Sequence, residues 1–379
     1  MLGRQLGITK PGVELGGVWI GAGNYLLSGG VDPGADGNSQ LVVNLRVDLA
    51  QTSGLKGSSF GVQLLQLNSA ATNDAAGTVL GYNSIDSSPP LDRSSLVQLW
   101  FRQAMFDERF ILRIGKSNPG ADFANVVNPV QTTQPARDIN TVSDLLFGPL
   151  YTPATLYGVF PGFYETSTGI TTTWAPNEKV SVAYGVYDGN QARGVATGLT
   201  GPEFNGYYFH IAQAGLNWVA GPEAKPGFFA VGGWRQTGEL STDSGITEDG
   251  ATGLYVYGSQ LIWFKDAEPI NNAGISAFFQ FGWNHTKTLI FDTYVGAGLT
   301  FRSLIPNRPQ DSFGVGVAWG RLNPNIFEND GEFITQAYYQ AQVSGSIYTE
   351  TALSYIPKPG AEPDLPAALA VTQQLIVPF

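Results

Sequence analysis

The sequence predicts an all-β transmembrane protein, a closed antiparallel up-and-down barrel of about sixteen strands. Three observations carry that prediction. Segments of roughly ten to fourteen residues alternate apolar and polar side chains along most of the chain, the two-residue period of an extended strand long enough to cross a bilayer at a tilt. Charged residues make up only 13% of the 379, where a soluble domain carries roughly 25%, yet no run of about 18 apolar residues could form a spanning helix. The links between segments are by turns short and long, the asymmetry between the two rims of a membrane barrel.

Taken in order, the first strand lies near 13–27. In "LVVNLRVDLA", Leu41, Val43, Leu45, Val47 and Leu49 oppose Val42, Asn44, Arg46 and Asp48. A strand at 57–68 follows, then "SLVQLWFRQ", with Val97, Leu99 and Phe101 on one face and Gln98, Trp100 and Arg102 on the other. "RFILRIGK" sets Phe110, Leu112 and Ile114 against Ile111, Arg113 and Gly115. After 167–175, "KVSVAYGVYDG" opposes Val180, Val182, Tyr184 and Val186 to Ser181, Ala183 and Gly185. Further strands read at 206–219, 227–237, 251–264, 273–284, 290–302, 311–321, 332–344, 345–356 and 367–379. Parity is mixed in 57–68 and 227–237, as a bulge would make it. In the closing "LAVTQQLIVPF", Leu369, Val371, Leu375, Val377 and Phe379 occupy every second position but one, an apolar face that runs down to the carboxylate.

The links check the count. Short ones are "TSGLKG", "FDER", "PNEK", "GPEAKPG", "KDAEPINNA", "IPNRPQD" and "VSGS"; long ones lie at 69–94, 116–166, 189–205 and 238–250, with "NHTKT" a short exception. Short links suit the periplasmic rim and long ones the outer rim, so both termini fall on the periplasmic side. Trp218, Trp234, Trp263, Trp283 and Trp319 lie near strand ends, where interfacial girdles are expected. A propeller would repeat a blade every 40–50 residues or so, and no such repeat is visible. The whole chain, 1–379, reads as one barrel domain with 1–12 as an N-terminal periplasmic segment.

Composition also narrows function. The formal net charge of -11 argues against nucleic acid as a partner. With no Cys there is no thiol nucleophile, and His210 and His285 sit in no local Ser or Asp constellation, so no catalytic site is expected. "DPGADGNSQ" and "NPNIFENDGE" are calcium-like in composition but lack the twelve-residue loop pattern, and turn chemistry accounts for them. No metal or other cofactor is expected. The opening "MLGRQLGITKPG" has no apolar core of a signal peptide and reads as the start of a mature chain.

Several stretches resemble the carbohydrate-selective porins of the OprB family. They are "GITKPGVELGGVWIGAGNYLLSGGV", the more specific "LVQLWFRQAMFDERFILRIGKSNPGADFA", "YGSQLIWF" and the close "YIPKPG" with "LAVTQQLIVPF". Ser354 departs from the pattern, which has Gln before the Tyr. The resemblance implies a sixteen-stranded channel for small sugars in the bacterial outer membrane, with outer loops folded into the lumen. The loops at 69–94 and 116–166 are the candidate constriction. It also implies that Phe379 belongs to a signal read by the outer-membrane assembly machinery, and that outer-membrane lipids surround the wall. Whether copies associate stays open.

A sugar-selective pore needs rings for the apolar faces of a pyranose and amide or charged groups for its hydroxyls, with binding weak enough for release. Arg46, Asp48, Arg102 and Arg113 have parity opposite an apolar face. Arg102 and Arg113 flank "FDER" on paired strands, forming one cationic ladder with Gln98 and Trp100 beside it. Lys116, Asp122, Gln260 and Glu350 complete the candidate set. Each inward charge serves either the solute or the wall. A general or ion-selective porin, or a plugged barrel acting as enzyme or adhesin, stays open as an alternative.

Overall fold

The computed structural model describes residues 10–86, 91–127, 143–162, 165–195, 201–221, 225–265 and 273–379. Within them each strand pairs antiparallel with its sequence neighbours and the last pairs with the first. The strands are β1 (Val13–Ser28), β2 (Ala35–Asp48), β3 (Ser58–Asn68), β4 (Arg93–Met105), β5 (Phe110–Ser117), β6 (Ser167–Trp174), β7 (Val180–Asp188) and β8 (Tyr208–Ala220). They continue with β9 (Lys225–Ser241), β10 (Thr247–Phe264), β11 (Gly274–Asn284), β12 (Phe291–Arg302), β13 (Ser312–Leu322), β14 (Gly331–Ser344), β15 (Ile347–Ile356) and β16 (Ala368–Pro378). A short helix α1 (Leu49–Ser53) occupies the β2–β3 link, and α2 (Thr72–Ala76) the β3–β4 link.

Closure follows from the solvent. In hydrocarbon an open sheet edge leaves a row of backbone groups without partners, so a spanning sheet must return to its first strand. The return here includes the terminal residue, since Phe379 and Gly17 exchange N–H to C=O bonds of 3.0 Å each. Gly17 leaves the room, because a Cβ there would stand 2.8 Å from the Phe379 ring.

Alternation sets the two faces. Leu99, Phe101, Ile114, Tyr184, Trp283 and Trp319 are exposed on the outer surface. Three expectations are corrected. Trp234 is buried inside, paired with Ile211 and Gly253, and is no girdle residue. Val97 is buried beside Val42 and Leu65, because the β3–β4 register slips between Gln63 and Leu64 and leaves it as the extra bulge residue. The link at 238–250 is no long loop. β9 and β10 extend as a tall hairpin, turned at 242–246 by the Thr242 N–H to Ile246 C=O bond of 2.9 Å.

The wall is uneven. β5 and β6 have 8 residues each, while β9 has 17 and β10 has 18. The β3–β4 and β5–β6 links turn inward. Leu80, Tyr82, Phe123, Leu145, Phe147, Leu150 and Leu156 from these links pack with inward wall residues such as Tyr187, Phe209, Tyr255, Tyr294 and Ile334 in one buried cluster. The hydrophobic core of this barrel is therefore inside the lumen. Inward rings lie flat on the wall over glycines of the neighbouring strand. A Cβ at Gly232 would come within 2.1 Å of Tyr255, and one at Gly61 within 2.3 Å of Trp100.

Candidate functional site

The inward face of β1–β5 is divided. Asn24 and Asn38 are buried against the β3–β4 loop, where Asn83 donates to Asn24 and Asn38 donates to Ser69 and Ala70. Other polar groups lie clear of the described parts of both inner loops. Register puts Glu14 opposite Arg46, Arg46 opposite Gly61, and Gly61 opposite Trp100. A ladder of amides crosses these strands: Trp100 Nε1 donates to Gln98 Oε1 (3.0 Å), Gln98 Nε2 to Gln63 Oε1 (2.9 Å) and Gln63 Nε2 to Asn44 Oδ1 (2.7 Å). Such a chain satisfies each amide in turn and fixes its orientation. Arg102 and Arg113 stand directly opposite on β4 and β5. Arg102 lies 3.8 Å from Glu108, and Arg113 binds Asp122, which follows a short 3-10 turn at Pro119–Ala121. The Arg113 guanidinium also lies over the Trp100 ring, 5.8 Å from its centroid. Glu14, Asn44 and Arg46 are exposed to the lumen.

The inward face of β8–β14 is different. Most of its polar side chains are buried, and several hold an inner loop by the backbone. Gln213 Oε1 accepts the Ala124 N–H (3.1 Å), Gln280 Nε2 donates to Leu150 C=O (3.0 Å) and Asn284 Nδ2 to Thr155 C=O (3.0 Å). Gln336 takes the Leu146 N–H at 2.5 Å, gives to Tyr82 C=O at 3.0 Å and so grips both loops. Asp144 of the second loop reaches Arg302 (3.1 Å) and Ser312 (2.8 Å). Glu332 accepts from the first loop at Thr78, Val79 and Leu80. Sequence reasoning missed these residues. Their signal was a lone amide at inward parity within an apolar strand, as in "FFQFGWN" and "FITQAYYQ".

The sequence profile described as "Carbohydrate-selective porin, OprB family" matches residues 33–377. The chain belongs to that family. Porin B of Pseudomonas aeruginosa is 21% identical over 410 aligned positions, covering 97% of this chain and 87% of that protein. The high pH structure of Pseudomonas putida OprB superposes with a TM-score of 0.82 at 16% identity, over 100% of this chain and 96% of that one. The outer membrane channel DcaP of Acinetobacter baumannii gives 0.54 at 8% identity, over 97% of each chain. Both structures show the shared barrel fold. This OprB-family porin is thus an outer-membrane β-barrel channel of a carbohydrate-selective family and no enzyme.

Against that frame the expected pore residues separate. Arg46, Gln98, Trp100, Arg102, Arg113 and Asp122 gather on the β1–β5 side. Asp48 caps α1 in the β2–β3 link, with its Oδ1 taking the Ala50 N–H at 2.8 Å. Glu350 faces inward but is buried, and receives a bond of 2.9 Å from Gln340. Two expectations fail. Gln260 lies in the outward row with Trp218, whose indole donates to it at 2.7 Å, and its own amide is spent on the Lys225 and Pro226 carbonyls. Lys116 pairs with Leu99 and Thr168, both outward positions. In each case the residue lies past the strand's middle, and its parity counts from the barrel, not from its polarity. Ser354 accepts a bond of 2.8 Å from Gln336 beneath the inner loops. Of the candidate loops, 87–90, 128–142 and 163–164 lie outside the described residues.

Burial tunes the inner loop as well. It pushes the Tyr82 phenol up to about 12, against a bond from Thr72 that pulls it down. It also raises the Asp86 carboxyl above its usual value, although Asn73, Thr72 and Ser69 all donate to it.

Proposed function

We propose that this porin passes small sugars, such as monosaccharides, along the β1–β5 side of its lumen, with Arg46, Arg102, Gln98 and Trp100 as the solute contacts. The observation that supports the reading is a contrast in cover among the described residues: Glu14, Asn44 and Arg46 on β1 and β2 are exposed to the lumen, and Gln213, Gln280, Asn284 and Gln336 on β8–β14 are taken by loop backbone. A guanidinium presents several donors in a fixed plane, which suits adjacent sugar hydroxyls. The indole of Trp100 rests on the wall over Gly61 and shares its other face with Arg113, so it offers part of one face to a pyranose. That limited contact favours weak binding, which a conducting channel requires. In this reading Arg113 and Asp122 hold each other, and so fix the edge of the second loop beside the path.

Single-channel current titrated with glucose tests it. In the double variant Arg46→Ala, Arg102→Ala, the half-blocking concentration should rise about tenfold, since each lost charged hydrogen bond contributes on the order of 1.5–3 kcal/mol gross and water replaces most of it. Ion selectivity should move toward cations at the same time. Unchanged block in the variant would remove these residues from the path. Equal block by an amino acid of similar size would favour a general diffusion porin.

A further inference from the structure

Glu332 is the second residue of β14, points inward and is 1% exposed. Its Oε1 accepts from Thr78 Oγ1 (2.5 Å) and the Leu80 N–H (2.9 Å). Its Oε2 accepts from the Val79 N–H (3.0 Å) and the Gly360 N–H (2.6 Å). All four partners are uncharged donors, so among the described residues this buried carboxylate is held by hydrogen bonds alone. A carboxylate group without a cation is an expensive thing to bury, and four donors are what it takes to offset the lost hydration.

The four donors come from two different links. Residues 78–80 belong to the β3–β4 link inside the lumen, and Gly360 to the β15–β16 link at the outer rim. The two links touch again where the Ala361 N–H meets Gly77 C=O at 3.0 Å. The grip then passes inward. Leu80 C=O accepts from the Tyr157 hydroxyl at 3.2 Å, and Gly81 C=O from the Gly148 N–H at 2.9 Å, which ties the second inner loop to the first.

We propose that Glu332 is a positioning residue for the channel aperture, a latch through which the outer β15–β16 link sets the place of both lumen loops. The inference rests on the reading that those loops narrow the sugar path. It goes beyond that reading in assigning the setting to one side chain remote from the β1–β5 contacts and in coupling the aperture to the outer surface. The chemistry of the side chain supports the role. A carboxylate only accepts, whereas an amide of the same shape would turn its own N–H groups against at least one backbone donor.

The test uses the full chain in lipid, where the absence of native cysteine makes a single reporter unambiguous. Ala76, which is fully buried in the lumen cluster, is replaced by Cys in the parent and in a Glu332→Gln background. We expect a membrane-impermeant maleimide to label the second protein about tenfold faster, as loss of one or two loop bonds raises local opening, and its single-channel current to become noisier. Heat-modifiable migration on gels should persist in both, since the wall's hydrogen bonds are intact. Equal labelling and equal noise would overturn the proposal. If Glu332→Gln fails to assemble, Thr78→Val removes one donor and leaves the carboxylate. Faster labelling there supports the latch, and unchanged labelling overturns it. Glucose block of the parent is recorded in the same bilayers, so a parent that conducts without block would sink the sugar path and leave the latch result standing.

Discussion

Trp100 on β4 and Tyr255 on β10 are built by the same device and end in opposite circumstances. Each ring points inward, lies over a glycine of the adjacent strand and has its polar atom bound to a glutamine: Trp100 over Gly61 with Gln98, Tyr255 over Gly232 with Gln213 at 3.1 Å. Tyr255 is sealed beneath the inner loops and Trp100 is half open to the lumen. What differs is the cover. Gln213 also accepts from loop residue Ala124, so the β8–β10 side is a core, while the Gln98–Gln63–Asn44 chain stays within the wall and leaves a water-facing surface. One lumen therefore holds two environments, set by where the loops press.

The largest way to break this contrast is Gln336→Leu. It strands the Leu146 N–H and the Tyr82 carbonyl in the packed interior, at roughly 1–3 kcal/mol each. Thermal unfolding should start several degrees lower and conductance should rise as both loops loosen. A variant that matches the parent in melting and conductance would show that apolar packing alone holds the loops.

A paired substitution sharpens the comparison. Gly232→Ala forces the Tyr255 ring off the wall into packed loops, an overpacking worth about 1–3 kcal/mol, whereas Gly61→Ala pushes Trp100 toward water. The first should lower the melting temperature and the second should mainly alter conductance and sugar block. Equal losses of stability would mean that the β1–β5 side is as tightly covered as the other.

The smallest effect lies at alkaline pH. Burial raises the Tyr82 phenol to about 12 from an ordinary value of 10.0, so the folded loop favours the protonated form. The stability this contributes is whole below pH 10 and is lost as pH rises through about 12. Current noise should therefore increase over that window and stay flat near neutrality. Tyr82→Phe should remove that step; a step of the same size in the variant would assign it to another group.

Much of the fold was legible in the order of residues. The Leu41–Leu49 and Val180–Val186 alternations, the apolar run down to Phe379 and the unequal links were enough for the strand count and the closed wall. Places where the reading failed share a cause. Val97 and the 238–250 link depend on a bulge and on an unusually tall hairpin, which neighbouring strands impose. Trp234 and Gln260 looked like a girdle ring and a lumen amide by their chemistry, but the register of β8–β10 turns each to the opposite side.

The sequence by itself determined that the chain must close in a membrane, because a two-residue period with little charge and no spanning helix leaves a barrel as the way to satisfy every backbone group. It also carried the inward parity of Arg46, Trp100, Arg102 and Arg113, since alternation is a local property. Only the tertiary structure decided which inward residues meet water. Gln336 and Glu332 join residues more than 250 positions apart in the chain to Tyr82 and Leu80, with separations of 254 and 252. No periodicity encodes contacts at that distance. They exist because two loops fold into the lumen, and a loop backbone taken out of water has to find its donors and acceptors on whichever strands it reaches.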